Sequence, residues 1–153
     1  MGKFDINVAK KAHDMFTAAA LKNDYPTIEK WVMKMFTPGF KYMEGKKTTS
    51  RAEWLMGLKQ NMMQSKIVAF KLTADKAVTK MGKGMVMGKL MVKAKGKGAD
   101  GKMHTFETNE KYTETWVWMN GMWMLDSVKS MGIVQMMDGK PMKAMKPMAA
   151  KTD

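Results

Sequence analysis

Residues 112–125 read YTETWVWMNGMWML, and this stretch decides the fold. An alternating run of residues leads into Asn120-Gly121, and a second alternating run leads out of it. Asn-Gly between two such runs is the strongest short-range signal for a β-hairpin, because both residues tolerate the positive φ of a type I′ turn. The sequence therefore predicts an antiparallel hairpin with a two-residue loop.

A two-residue loop also sets which residues face each other across the hairpin. One face pairs Trp118 with Trp123, Trp116 with Leu125 and Glu114 with Ser127, and the other pairs Met119 with Met122, Val117 with Met124 and Thr115 with Asp126. A slip of one residue would exchange the two faces, so the register decides which side meets the core. We expect the tryptophan face to pack on helices, with Glu114 beside Trp116 on the core side.

The period of two also governs residues 66–94, upstream of the hairpin. A turn is predicted at Gly82-Lys83-Gly84, and Asp100-Gly101 marks a further hairpin. The strand over residues 85–94 carries aliphatic side chains on one face and methionine with lysine on the other. These signals together predict a long antiparallel meander.

Two amphipathic helices precede the meander. The first covers residues 6–21, where apolar residues recur at helical spacing. The second begins after the capping pair Asn23-Asp24 and is expected to end at Pro38-Gly39. Its apolar face consists of Ile28, Trp31, Val32, Met35 and Phe36.

A short edge strand over residues 40–44 and a third helix complete the N-terminal half. Ser50 and Glu53 form a capping box, in which each side chain bonds to the backbone of the other residue. The helix that follows is expected to bury Trp54, Leu55, Leu58 and Met62. The sequence thus predicts an α+β fold, with N-terminal helices packed on a curved antiparallel sheet.

Composition restricts the function classes. The chain has 153 residues, 45% of them hydrophobic, and no cysteine, which excludes disulfides, thiol catalysis and cysteine–zinc sites. No apolar run approaches the length of a membrane helix, and the N-terminus lacks the apolar stretch of a signal peptide. The compartment therefore stays open between a cytoplasmic protein and a secreted form that has been trimmed.

The formal net charge is +13, and Arg51 is the only arginine. A basic excess can attract phosphate groups, but lysine lacks the planar fork that arginine uses to recognise phosphates and bases. The lysines are also spread along the whole chain instead of forming one block. A nucleic-acid partner is therefore not expected.

The order of elements resembles the nuclear transport factor 2-like superfamily, in particular its SnoaL-like and ketosteroid-isomerase-like branches. The likeness covers about residues 5–134. The residues that carry it are the junction Asn23-Asp24-Tyr25, the segment Phe40-Lys41-Tyr42-Met43-Glu44-Gly45, the segment Ser50-Arg51-Ala52-Glu53-Trp54-Leu55, and the closing run from Tyr112 to Trp123 with its Asn-Gly turn. These motifs indicate fold, and none of them is catalytic.

The resemblance implies a cone-shaped domain over residues 1–137, with a pocket between the helices and a curved sheet. It also implies a dimer through the outer sheet face. Enzymes and non-enzymatic ligand binders share this fold, so the fold alone does not select a function. Residues 138–153 lack periodicity, and we expect a flexible tail rich in lysine, methionine and proline.

The candidate chemistry consists of acids, bases and aromatic residues, and only some of them are expected to face the pocket. Glu114 and His13 are the first candidates for a catalytic acid or base, because burial tunes the pKa of such groups. For Glu114 the alternative is a position at the sheet edge or a pair with a lysine. Further titratable candidates are Asp14, Tyr42, His104, Glu107, Tyr112 and Asp126, and the expected ligand-binding residues are Phe16, Tyr42, Trp54, Glu114 and Trp116.

The 22 methionines are in excess and leave several interpretations open. The tail spacing Met142, Met145 and Met148 would suit Cu(I), but flanking lysines oppose a cation, so no metal and no cofactor is expected. One face of the predicted sheet carries Met85, Met87, Met91, Met119, Met122 and Met124, which suits a homodimer interface. The enrichment is also consistent with an engineered, methionine-rich variant that has no native activity.

The leading hypothesis is a domain that binds a small apolar molecule, without established catalysis. The alternative is a SnoaL-like isomerase, cyclase or hydrolase that uses an acid or base in the pocket. A third hypothesis is an interaction protein that works through its basic, methionine-rich surface.

Overall fold

The computed structural model describes residues 3–142. This part of the chain contains the helices α1 (Ile6–Leu21), α2 (Tyr25–Met35) and α3 (Arg51–Gln64). Its strands are β1 Phe36–Glu44, β2 Lys47–Ser50, β3 Ser65–Lys80, β4 Lys83–Lys97, β5 Met103–Met119, β6 Met122–Met137 and β7 Lys140–Pro141. None of the helices among residues 3–142 is long and apolar enough to cross a bilayer.

All the strands join one open sheet in the order β2-β1-β6-β5-β4-β3, with β7 beside β6. Bulges in the β3–β4 and β5–β6 pairings bend the long strands, so the sheet curves around the helices. The predicted α+β fold is confirmed. One pairing, β1 with β6, is parallel, which the long connection between them allows, since it contains the helix α3 and four strands. The sheet is therefore mixed.

The predicted helix starts are confirmed by their caps. The side chain of Asp24 accepts a hydrogen bond from the backbone N–H of Thr27 at the start of α2. At the start of α3, Ser50 accepts from the N–H of Glu53, and the Glu53 carboxylate accepts from the N–H of Ser50. These bonds satisfy backbone donors that a helix leaves unpaired at its first turn.

The predicted end of the second helix was wrong. The helix α2 stops at Met35, and Phe36 begins the strand β1, which also contains Pro38 and Gly39. Phe36 and Phe40 are both buried by this extended segment. Pro38 lies where the β1–β6 register is irregular, so its missing N–H removes no regular ladder bond. The strand is also not at the edge, because β2 flanks it on one side and β6 on the other.

The predicted hairpin register is confirmed from the loop to the pair Trp116–Leu125. Asn120 and Gly121 have φ of 55° and 75°, as a type I′ turn requires. Beyond Trp116 the two predicted pairs were wrong, because Asp126 is an extra residue in a bulge. Thr115 pairs with Ser127, and Glu114 pairs with Val128. Asp126 instead accepts a hydrogen bond from the hydroxyl of Thr37, at 2.8 Å.

The β3–β4 turn lies at Met81-Gly82, one residue earlier than predicted. Gly84 is already part of β4 and is covered by the ring of Phe4, which would lie 2.2 Å from a Cβ atom at this position. Glycine is needed here because a side chain would displace that ring. The N-terminal Phe4 packs edge-on against Trp123, at a centroid distance of 5.1 Å, and closes this end of the core.

The core lies between the helices and the inner face of the sheet. Its largest fully buried side chains are Trp116, Phe40, Ile28, Val32, Val86 and Thr37. On the opposite face of β4, Met85, Met87 and Met91 are half-buried, whereas Met124 on β6 is 5% exposed within the single chain. Residues 138–142 form a turn and the strand β7, and the rest of the expected tail lies outside the described residues.

Candidate functional site

A cavity of about 310 Å³ lies between the helices and the inner face of the sheet. Its wall is rich in aromatic side chains, because residues of the apolar stripes of α1, α2 and α3 and of the alternating strands β1 and β3 line it. The six rings that define the aromatic wall are Phe16, Trp31, Phe36, Phe40, Trp54 and Phe70. Phe16 packs edge-on against Trp31 at 5.5 Å between centroids, and Phe36 lies 5.5 Å from Trp54.

A buried histidine–carboxylate pair stands in this apolar wall. His13 of α1 and Glu114 of β5 are each 5% exposed, and His13 Nε2 lies 2.7 Å from Glu114 Oε2. The indole N–H of Trp116 donates to the other carboxylate oxygen, at 3.0 Å. Two donors on one carboxylate offset the cost of removing its charge from water. Within residues 3–142, Glu114 is thus neither at the sheet edge nor paired with a lysine.

The free ring nitrogen indicates how this pair is protonated. His13 Nδ1 is buried and has no hydrogen-bond partner in the described part of the chain. If Nδ1 carried a proton, a buried donor would stay unsatisfied, at a cost of about 1–3 kcal/mol. The favoured state therefore has the proton on Nε2, donated to an ionised Glu114. This leaves Nδ1 with a lone pair that can accept a hydrogen bond or a proton.

A second polar pair joins β1 to β5. The hydroxyl of Tyr42 donates to the carboxylate of Glu110, which is 8% exposed. Burial raises the pKa of Glu110 above its usual range, although the Tyr42 and Ser130 hydroxyls act in the opposite direction. Burial also raises the pKa of Tyr42, and the neighbouring Glu110 carboxylate adds to the shift. Tyr42 is therefore a neutral donor.

Tyr112 lies between the two carboxylates on the inner face of β5. Its hydroxyl donates to the backbone carbonyl of Thr73 at 3.2 Å, and its ring meets that of His13 edge-on at 6.1 Å. Burial raises the pKa of this phenol, and the Glu114 charge adds to the shift. A Cβ atom at Gly88 would lie 2.6 Å from the hydroxyl, so glycine leaves room for it.

The structure brings together several of the residues singled out from the sequence. His13, Phe16, Tyr42, Trp54, Tyr112, Glu114 and Trp116 all line the cavity. The other candidates lie elsewhere: Asp14 is exposed on α1, Asp126 bonds to Thr37, and Glu107 forms a surface ion pair with Lys93 at 3.7 Å. His104 lies at the far end of the sheet, 2.6 Å from Asp138 and 2.8 Å from Asp100.

Sequence reasoning missed Glu110. The signal was present, because Glu110, Tyr112, Glu114 and Trp116 share one face by simple alternation along β5. The indole N–H of Trp31 was also missed; it is buried without a partner among the described residues. In residues 3–142, no group of three or more His, Asp or Glu side chains is arranged to hold a metal ion.

Comparison with known proteins is informative at the level of structure only. No protein-family model and no curated sequence matches this chain. A conserved protein from Planctomyces limnophilus DSM 3776 superposes with a TM-score of 0.69 at 16% identity, covering 86% of this chain and 98% of that one. An NTF2-like protein from Cytophaga hutchinsonii gives a TM-score of 0.58 at 12% identity, with 83% and 97% covered. An NTF2-like protein of unknown function from Shewanella oneidensis MR-1 gives a TM-score of 0.56 at 14% identity, covering 82% of this chain and 97% of that one.

Proposed function

This chain has the nuclear transport factor 2-like fold, and on that premise we propose that it binds a small, largely apolar molecule in the aromatic-walled cavity. The observation that carries the proposal is the cavity itself. Its volume of about 310 Å³ lies at the lower end of the range of roughly 300–1,000 Å³ typical of ligand sites. The ligand is therefore small, with a body that fits among aromatic rings.

The polar groups in the wall support a ligand with one polar end. Well-packed cores rarely retain space of this size, and buried polar groups are normally all paired. Here the cavity wall includes His13, whose Nδ1 is buried and has no partner among the described residues. A ligand donor that bonds to this nitrogen would satisfy it, while the apolar body replaces water next to the rings.

The test is thermal unfolding of the protein with 2-phenylethanol as a probe. A ligand that binds only the folded state at 100 times its Kd stabilises it by about 2.7 kcal/mol, so the unfolding temperature should rise with concentration. Leu58→Trp, on the cavity wall, should abolish the rise. Met56→Trp, on the same helix but 61% exposed, should retain it.

The unfolding temperature of each free variant is measured first, so that a folding defect is not read as lost binding. Stabilisation that is equal in both variants, or absent from the unsubstituted protein, would contradict binding in this cavity. Native mass spectrometry of the purified protein adds an independent readout, because a co-purified organic adduct would identify the ligand class.

The His13–Glu114 pair favours a second candidate, an enzyme that moves a proton. In this reading Glu114 holds the imidazole with its proton on Nε2, and Nδ1 abstracts a proton from a substrate carbon or from water. A positioned base of this kind contributes about 10²–10⁴-fold to a rate. The isomerases, cyclases and hydrolases suggested by the sequence resemblance all need such a step.

A general probe of this candidate is the base-induced ring opening of 5-nitrobenzisoxazole. The base takes the ring C–H proton, the N–O bond breaks, and a coloured cyanophenolate forms. His13→Gln should abolish the rate above buffer, and Glu114→Gln should reduce it by weakening the orientation of the ring. Wild-type turnover no faster than that of His13→Gln would refute the base.

The methionine-bearing sheet face supports a further proposal, that the protein is a homodimer. Met85, Met87 and Met91 are half-buried in the single chain, and Met119 is 38% exposed, so they offer adaptable apolar area to a partner subunit. Met124 is already buried and would add little. Sedimentation over a concentration series tests the dimer, and Met87→Glu should shift it to monomer. A monomer at all concentrations would refute the interface.

A further inference from the structure

The charged side chains around the cavity have the opposite sign from the chain as a whole. The formal net charge of the protein is +13. The charged residues of the cavity wall are His13, Glu110 and Glu114, and none of the lysines or the arginine of the described residues takes part in it. With His13 neutral, as its unpaired Nδ1 indicates, the part of the wall formed by residues 3–142 holds two carboxylates and no fixed cation.

We propose that the ligand of this cavity is a small hydrophobic amine that binds as its ammonium ion. The inference rests on the binding function proposed above and deepens it by naming the chemical class. Three independent features of the wall recognise such a molecule: the aromatic rings, the free acceptor on the histidine, and the second carboxylate.

The aromatic wall is suited to a cation as well as to an apolar body. Ring faces carry a partial negative charge, and a cation within about 6 Å of a ring centroid gains from it, most of all with tryptophan and when water is excluded. Phe16, Trp31, Trp54 and Phe70 surround one region, since Phe16 lies 5.5 Å from Trp31, 6.2 Å from Trp54 and 5.4 Å from Phe70. An ammonium group entering this region meets several rings at once.

The His13–Glu114 pair offers an ammonium group a hydrogen bond as well as a charge. The pair carries a net charge of −1 when Nε2–H donates to the ionised carboxylate. Nδ1 on the other side of the ring is a buried acceptor that has no partner in the described part of the chain. An N–H of the ligand would donate to it, and the charge of Glu114 behind the ring would strengthen that bond.

Glu110 supplies the second negative group. It is 8% exposed and is neutralised by no cation among the described residues, since its partner Tyr42 is an uncharged donor. A carboxylate in this setting is more costly to ionise than one in water, which agrees with its raised pKa. A bound ammonium ion would stabilise the ionised form, so binding and the ionisation of Glu110 favour each other.

Other ligand charges fit less well. An anion would face two carboxylates in a medium that screens them poorly. A neutral molecule fills the space but leaves the Glu110 charge without compensation. The positive charge of the outer surface does not reverse this preference, because salt screens exposed charges over roughly 8–10 Å at physiological ionic strength.

The experiment compares three probes of similar size by calorimetric titration at pH 7 in physiological salt: 2-phenylethylamine, 2-phenylethanol and phenylacetate. We expect the amine to bind at least about tenfold more tightly than the alcohol, as one charge-assisted bond warrants, and phenylacetate to bind more weakly than either. Glu110→Gln should reduce the preference for the amine over the alcohol severalfold. The matched control Glu107→Gln changes a carboxylate on the same strand that pairs with Lys93 on the outer face, and should leave the preference unchanged.

The outcomes separate the two proposals. If the amine and the alcohol bind equally well, or if Glu110→Gln and Glu107→Gln have the same effect, the amine inference is overturned while the binding function stands. If none of the three probes binds to folded protein, the binding function falls and the inference falls with it. A preference for the amine that is lost only in Glu110→Gln supports both.

Discussion

Replacing His13 with phenylalanine should destabilise the protein strongly, because it strands a buried charge. Phenylalanine keeps a ring beside Tyr112 but removes the Nε2 that lies 2.7 Å from Glu114. The side chains of the pair are only 6% and 7% exposed, so water cannot replace the lost donor. Removing the donor of a buried hydrogen bond costs about 1–3 kcal/mol, and more when the group left behind is charged. Because Glu114 stays charged but Trp116 still donates to it, we expect a loss of about 3 kcal/mol.

The assay is equilibrium unfolding in urea at pH 7, followed by tryptophan fluorescence. For a chain of this size the dependence of the unfolding free energy on urea is about 2 kcal/mol per molar. A loss of about 3 kcal/mol therefore lowers the midpoint by about 1.5 M. The variant Glu107→Gln should change the free energy of unfolding by less than about 1 kcal/mol, because its pair with Lys93 is partly exposed to water, at 45% for Lys93 and 23% for Glu107.

The double variant His13→Phe/Glu114→Gln isolates the cause. The glutamine amide oxygen still accepts from Trp116, but no charge is left buried, so the double variant should be about 1–2 kcal/mol more stable than His13→Phe alone. A double variant that is less stable than the single one would refute the argument from buried charge. A loss of unfolding free energy of under 1 kcal/mol in His13→Phe would also refute this argument.

Three further predictions concern other parts of the fold. Gly84→Ala should cost about 2 kcal/mol in urea unfolding, because the new methyl group displaces the buried ring of Phe4, and it should cost little in a Phe4→Ala background. By NMR titration the pKa of His104 should lie above 6.5, since Asp138 and Asp100 both accept from its ring. The stability that these two hydrogen bonds contribute is complete below pH 6.5 and is lost as the pH rises through the folded-state pKa of His104. The pKa of Glu110 should also lie above 4.5, because the buried side chain favours the protonated carboxyl. The resulting stabilisation of the folded state is present below pH 4.5 and should decline as the pH rises through the folded-state pKa of Glu110. The variant Glu110→Gln should lack this pH dependence.

Each of these has a control. Gly39→Ala, where nothing lies within 4 Å of a new Cβ, should cost far less than Gly84→Ala. Asp138→Asn should lower the pKa of His104 toward 6.5, and an unchanged titration would rule out the contact at 2.6 Å. For Glu110, identical stability profiles of wild type and Glu110→Gln between pH 4 and 7 would contradict the burial argument.

Local signals predicted most of the secondary structure correctly. Helix α1, the capping box at Ser50 and the Asn120-Gly121 turn depend on residues that are close in sequence, and their bonds are local. The end of α2 was missed because Phe36 suits a helical stripe and a strand equally well. Burial against the rest of the core decided between them, and this is a tertiary effect.

The candidate site was predicted in part. The hairpin register correctly placed Glu114 beside Trp116 on the inner face, even though the bulge at Asp126 shifted the cross-strand pairing of Glu114. The bulge changed the partner on β6 but not the face of β5, because the extra residue lies on the other strand. Glu110 was overlooked although the same alternation placed it on that face. Nothing local indicated that His13, 101 positions before Glu114, would be its partner.

The sequence by itself determined where helices and hairpins form, because caps, turns and periodicity act over a few residues. It also determined which face of each strand is apolar. Only the tertiary structure decided that the aromatic stripes of three helices meet around a cavity, and that a histidine and two carboxylates stand in its wall. Those contacts join residues far apart along the chain, and the energies that matter there, burial and charge compensation, exist only once the surrounding layers have excluded water.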